Sequence, residues 1–263
     1  MAKNHNLSII LYTVRSSPLP YEEKLRKLRG IGYHSIQGGF AEGLSNAQHV
    51  ALLDSLGMEM CCFAGGLEAI AAEPGKYIEG CRAFDCDEIM IGTLPVECRA
   101  SYDGYLRGAE IINKVGRELA REGVHLGYHN HAQEFRRFPQ GKTGMDLLFE
   151  NFDPVIHFMP DTHWLQAGGA DILQWIEKLK GRMKYLHVKD YRIAPANSET
   201  GIGDTVKQFA PIGAGNLPWP EIVAAALNIG VEAFIVEQDE MYGESPFDCA
   251  AQSFETLKAL GLN

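Results

Sequence analysis

Apolar and polar positions change period again and again along the chain, and that alternation predicts its elements. Short apolar runs of strand length occur as "LSIILY" (7–12), "YHSIQ" (33–37), "MEMCCFA" (58–64) and "EIMIG" (88–92). Four more follow: "VHLGYHNH" (124–131), "VIHFMPD" (155–161), "MKYLHVKD" (183–190) and "AFIVEQDE" (233–240). Between them lie segments such as "YEEKLRKLRGIG", "AQHVALLDSLG" and "YDGYLRGAEIINKVGRELAREG". Apolar residues recur there every three or four positions and glycine often follows the last turn, as in amphipathic helices with a C-terminal stop. Eight strands alternating with helices predict parallel pairing through right-handed crossovers, and eight strands are enough to close a barrel. The length of 263 residues suits one such barrel of roughly 250 residues. The expected fold is therefore α/β, a single (β/α)8 TIM barrel over residues 1–263, with no linker or low-complexity tract.

Barrels of this kind carry their chemistry at the carboxyl ends of the strands. The first four runs end in Tyr12, Gln37, Ala64 and Thr93, which are weakly ionic. The last four end in His129-Asn130-His131, in Asp161 with His163 just beyond, in His187 to Asp190, and in Glu237 to Glu240. Alternate strand residues share a face. His129 and His131 therefore point the same way, as do His187 with Lys189 and Glu237 with Asp239, while Leu186 and Val188 face the helices. The pattern aims His129, Asp161, His187 and Glu237 at one axis. Two imidazoles and two carboxylates suit one divalent ion such as Mn²⁺ or Zn²⁺, rather than the all-oxygen shell of Ca²⁺. Any one of these residues alone reads better as a hydrogen-bonded polar strand end. Four at corresponding points of consecutive units favour the metal.

Composition narrows the partners. Against 24 Lys+Arg stand 34 Asp+Glu, a net charge of −10, which argues against nucleic acid and anionic membrane as partners. No apolar run approaches the ~20 residues of a membrane helix, and Arg15 interrupts the apolar start too early for a signal peptide. The six cysteines have neither zinc-knuckle nor disulfide spacing, so reduced thiols in a cytoplasmic protein are expected. No strand–GxGxxG–helix unit calls for a nicotinamide cofactor. "PIGAGNLPWPEI" (211–222) reads as a turn before a helix, with a phosphate site as the alternative. The polar segment Tyr191 to Ala210 is long for a loop and could close over the site. Trp164, Phe135 and Trp219 are either packing residues or an apolar wall for a sugar face.

Several blocks together resemble the xylose-isomerase-like barrels of the sugar phosphate isomerase/epimerase group, which includes inosose dehydratases and ketose 3-epimerases. They are "LYTVR" (11–15), "GLSNAQHVALLDSLGM" (43–58), "LGYHNHAQEF", "DTHWLQAGG" (161–169), "LHVKD" (186–190), "IGAGNLPW" (212–219) and "VEQDE" (236–240). The resemblance implies a metal held by Glu, Asp, His and Glu from the last four strands. Asp161, His187 and Glu237 match, and His129 stands at the first position, where many relatives have glutamate. His131 and Glu134 are neighbours able to take that role. Trp164 occupies a place where many relatives have histidine, with His163 one residue early, and Gln37 stands for a common glutamate. Ligands of the early strands needed by the DNA-nicking branch are missing.

The activity implied is proton abstraction beside a carbonyl of a small carbohydrate, giving isomerisation or epimerisation. The alternatives are dehydration of a keto-sugar or keto-inositol, and a barrel used only for binding. Glu237 is the expected base, with Glu134, Lys189 and His131 as further acid–base candidates. His163, Trp164, Tyr12 and Asp239 are the expected substrate contacts. Lys189 reads equally well as an ion-pair partner of Asp190 or Glu237. Homo-oligomerisation is left open.

Overall fold

The computed structural model describes residues 6–196 and 204–263. Seven parallel strands appear in chain order: β1 (Leu7–Ile10), β2 (Ser35–Gly38), β3 (Glu59–Ala64), β4 (Glu88–Ile91), β5 (His125–His129), β6 (Ile156–Met159) and β7 (Tyr185–Val188). An antiparallel ribbon follows, β8 (Asp190–Pro195) and β9 (Thr205–Ala210), and then the eighth barrel strand, β10 (Ala233–Val236). The barrel strands pair in the order β6-β5-β4-β3-β2-β1-β10-β7. Among the described residues β6 and β7 form no ladder. A parallel bridge between Asp161 and His187 joins them, with the His187 N–H donating to the Pro160 carbonyl at 3.0 Å.

The strands are nearly continuous apolar runs because both their faces are buried. Leu126, Tyr128, Phe158, Leu186, Val188 and Phe234 belong to the layer packed with the helices. Cys61, Cys62, Met90, Met159, Tyr185 and Ile235 belong to a separate inner cluster that fills the barrel. The expected parity therefore holds at β7, with Leu186 and Val188 in the outer layer and His187 between them on the other face. All six cysteines are free and buried. No helix among the described residues is long and apolar enough to cross a membrane.

Two strands are shorter than their apolar patterns suggest. The first ends at Ile10 and passes into a 3-10 turn, Leu11–Val14, which carries Tyr12 half-exposed to the barrel mouth. The eighth ends at Val236, and the next N–H, that of Glu237, still donates to the Val188 carbonyl at 3.1 Å. That bond fixes the backbone of Glu237 although it lies beyond the ladder. The segment Tyr191–Ala210, read from sequence as a long polar loop, is mostly ribbon; residues 197–203 lie outside the described residues.

Asp190 roots the ribbon. Its fully buried carboxylate accepts from the N–H groups of Tyr191 (2.8 Å), Gly213 (3.0 Å) and Leu217 (3.3 Å) and from Trp219 Nε1 (2.6 Å). The amides in and around "GAGN" that could have cradled a phosphate are thus already taken: Gly213 and Leu217 donate to the Asp190 carboxylate, Ala214 to the Pro211 carbonyl and Asn216 to the Tyr191 carbonyl. Gly215 approaches so closely that any Cβ there would overlap the Asp190 carboxylate. The turn alternative is the one the structure adopts.

Candidate active site

Each of the four aimed side chains reaches the axis by a different local route. His129 is the last residue of β5. Asp161 follows β6 and caps the short helix Thr162–Ala167, with Oδ1 accepting the Trp164 N–H at 2.9 Å. The cap occupies one carboxylate oxygen and leaves Oδ2 facing the site. His187 lies within β7, and Glu237 directly follows β10. All four are buried, and one ligand atom from each lies within 4.8 Å of the others.

Their partners leave part of this set open. His187 Nδ1 lies 2.8 Å from Glu237 Oε2, and its Nε2 lies 2.5 Å from Gln37 Oε1. Gln37 therefore fixes the ring of a candidate ligand. His129 Nδ1 and Asp161 Oδ2 are buried without a hydrogen-bond partner. Buried polar atoms are nearly always paired, so the orphaned His129 nitrogen, beside an Asp161 oxygen with only the Lys189 ammonium near it, points to a group that belongs between them. Lys189 Nζ lies 3.3 Å from Asp161 Oδ2, 2.9 Å from Glu237 Oε2 and 3.0 Å from Asp239 Oδ2. Three carboxylates against one ammonium leave two negative charges, the charge of a divalent cation. Two imidazoles and two carboxylates, in a cluster with two net negative charges, fit a divalent cation.

The ionisation states follow from burial and that lysine. Burial works against the charge on Glu237, but the Lys189 ammonium and His187 outweigh it and hold the carboxyl well below its ordinary range. Asp161 goes the other way. Burial dominates over the pull of Lys189 and raises it to about 6. Burial also disfavours the ammonium of Lys189, yet Asp161, Glu237 and Asp239 more than offset this and raise its pKa. His129 is pushed well below the usual imidazole value, first by burial and then by His187, so it is neutral and free to ligate.

The pocket over this cluster is a cavity of about 590 Å³, within the range of small-molecule sites. Tyr12, His131, Trp164 and Asp239 line it together with His129, His187 and Glu237. Lys189 lies beneath, in contact with Glu237 and Asp239. Two further candidates stand apart. His163 is buried against Trp164, Tyr191 and Phe209 and does not line the cavity; burial lowers its pKa to about 4. Glu134 is fully buried and takes donors from Tyr128 Oη (2.9 Å), the His131 N–H (2.7 Å) and Gln133 Nε2 (3.1 Å). Phe135 packs against Trp175 and Trp219 is buried beside Asp190, so neither forms a wall of the cavity. Sequence reasoning missed the clasp of Gln37 on His187, which only the ring closure of the barrel brings together.

Comparison with known proteins places the fold. The chain is 26% identical over 204 residues to an inosose dehydratase of Geobacillus thermodenitrificans, covering 74% of this chain and 65% of that relative's length. A sugar phosphate isomerase/epimerase from Parabacteroides distasonis superposes with a TM-score of 0.73 at 22% identity, covering 98% of this chain and 94% of the other. An IOLI protein with a binding zinc atom superposes with a TM-score of 0.73 at 14% identity, covering 97% of each chain. At such identities the two structures establish a shared fold. Residues 25–260 fit the model of one family, and the chain belongs to the xylose isomerase-like TIM barrels.

Proposed function

We propose that the chain is a divalent-metal-dependent enzyme that removes the proton beside a carbonyl of a small carbohydrate, as an isomerase or epimerase. One observation carries this reading: Glu237 Oε2 touches both His187 Nδ1, at 2.8 Å, and Lys189 Nζ, at 2.9 Å. Ligand, base and proton donor thus meet at a single oxygen. His129, Asp161, His187 and Glu237 are the residues that would hold the ion. When bound, it supplies Lewis-acid polarisation of the substrate carbonyl.

Glu237 is held ionised by Lys189, so it is ready to accept a proton at neutral pH. Lys189 keeps its own proton for the same reason and is a donor rather than a second base. A carboxylate that takes a proton from one carbon and returns it to the next isomerises the substrate. Symmetrical epimerisation with a carboxylate on each face is disfavoured, because His129 stands where many relatives carry the second one.

Dehydration is the second reading, favoured by the Lys189 ammonium next to the base, a donor suited to a departing β-hydroxyl. The inosose dehydratase relative also supports it.

The deciding experiment loads the protein with Mn²⁺ or Zn²⁺ and follows keto-sugars and keto-inositols by proton NMR in D₂O. An isomerase leaves deuterium in the recovered sugar. A dehydratase accumulates an enone or diketone absorbing in the ultraviolet. If no substrate exchanges the proton beside its carbonyl while metal is bound, the proposal fails.

A further inference from the structure

A second cavity of about 430 Å³ neighbours the first and shares His131 and Trp164 with it. Its remaining lining is Thr93, Arg99, Ala132 and Gln133. None of these six residues is acidic, although the chain as a whole carries a net charge of −10. Five of the six carry a side-chain N–H or O–H able to donate. Arg99 is its one fixed cation, at the end of the short helix Val96–Arg99 that follows β4.

The bonding of Arg99 leaves it incompletely used. Its Nη1 donates to Gln133 Oε1 at 2.9 Å, a neutral acceptor, and among the described residues it forms no ion pair. Its Nε is buried without a partner, and so is Trp164 Nε1. Gln133 turns its own amide nitrogen away, towards Thr93 Oγ1 and Glu134 Oε1. Glu134, the nearest carboxylate in that network, does not line the cavity and already accepts three hydrogen bonds. A partly desolvated guanidinium whose bonded partner is a neutral amide oxygen, and whose other cavity neighbours here are neutral donors, is matched by a planar or tetrahedral oxyanion, which can accept from two of its nitrogens at once.

We propose that this side cavity is an anion subsite, seating a carboxylate or phosphate at the far end of the substrate on Arg99 while the reacting carbons lie over Glu237. This rests on the enolising reading of the main pocket and adds a substrate class to it: an anionic carbohydrate, either a sugar phosphate or a sugar acid. The two cavities share His131 and Trp164 in their linings, so they are neighbours, and the proposal places one molecule across both. An anion so held fixes which carbon of the chain stands at the base, so Arg99 sets regiospecificity as well as affinity.

The test measures calorimetric affinity of the metal-loaded protein for a neutral pentitol, its 5-phosphate and the corresponding pentonate. One or both anions should bind at least about tenfold more tightly than the pentitol, as a charge-assisted hydrogen bond to arginine implies. Arg99→Gln should abolish that advantage while leaving pentitol affinity and metal content unchanged, and Arg99→Lys should restore part of it. The tighter of the two anions identifies which group the subsite takes. Equal affinity for neutral and anionic ligands, or an advantage that survives Arg99→Gln, overturns the subsite but spares the reading of the main pocket. Failure of all three ligands to bind overturns both.

Discussion

Glu237 can be tested apart from its neighbours because glutamine keeps its size and one coordinating oxygen while removing its basicity. Glu237→Gln should retain metal, more weakly, and lose at least about a hundredfold in rate, within the ~10²–10⁴ usual for a general base. Should Glu134→Gln instead be the damaging change, the buried carboxylate under His131 would be the base. His187→Ala removes the residue that touches both Glu237 and Gln37, and should strip the ion with little change in circular dichroism. Acid should weaken metal binding in a defined window. Asp161 must be ionised to ligate, and burial has raised its pKa to about 6. Affinity should therefore be level above about pH 7 and fall as pH drops through 6, read by metal titration at each pH. His129, pushed well below the imidazole range, stays neutral across that window and adds no second break. All four converging residues were legible in the sequence from their places at the ends of consecutive strand runs, with parity aiming His129, His187 and Glu237. The state of Lys189 was not, since it depends on three carboxylates that arrive from the ends of two other strands, β6 and β10.

At the scale of elements, the eight barrel strands announced themselves through apolar runs buried on both faces. The ribbon did not. Its strands, "DYRIAP" and "TVKQFA", are mostly exposed or half-buried, so no apolar stripe marks them, and their pairing depends on each other rather than on a core. What ties them to the barrel is Asp190, which follows the inward-facing Lys189 and collects four donors from the ribbon and the next loop. Asp190→Asn keeps the shape but replaces a charged acceptor with a half-donor amide. Hydrogen bonds to a charged group are worth about 1.5–3 kcal/mol each, so losing at least one should cost roughly 2 kcal/mol. In a domain this size that is a drop of about 5 °C in Tm, measurable by calorimetry, with metal content preserved. The extent of β1 and β10 was overread because Tyr12 and the acids after Val236 continue an alternating pattern into segments that no longer pair.

For the whole molecule, the residues that would hold the ion come from β5, β7 and the ends of β6 and β10, so a bound metal ties together four strands across the end of the barrel. Because the unfolded chain lacks this geometry, ligation should raise stability by mass action, about 2.7 kcal/mol when free metal is a hundredfold above its Kd. Scanning calorimetry with and without a chelator should show Tm rising with metal, and the effect should vanish in His187→Ala. The bridge between Asp161 and His187 adds a further consequence. It lies where β6 and β7 meet without a ladder, so the two ligands are also the seam of the barrel. An amide there, such as the His187 N–H bonded to Pro160, should exchange with solvent through local opening of that seam. Saturating metal should slow its hydrogen–deuterium exchange far more than that of amides in β3 or β4. The protection factor of one backbone proton would then report whether the protein is loaded.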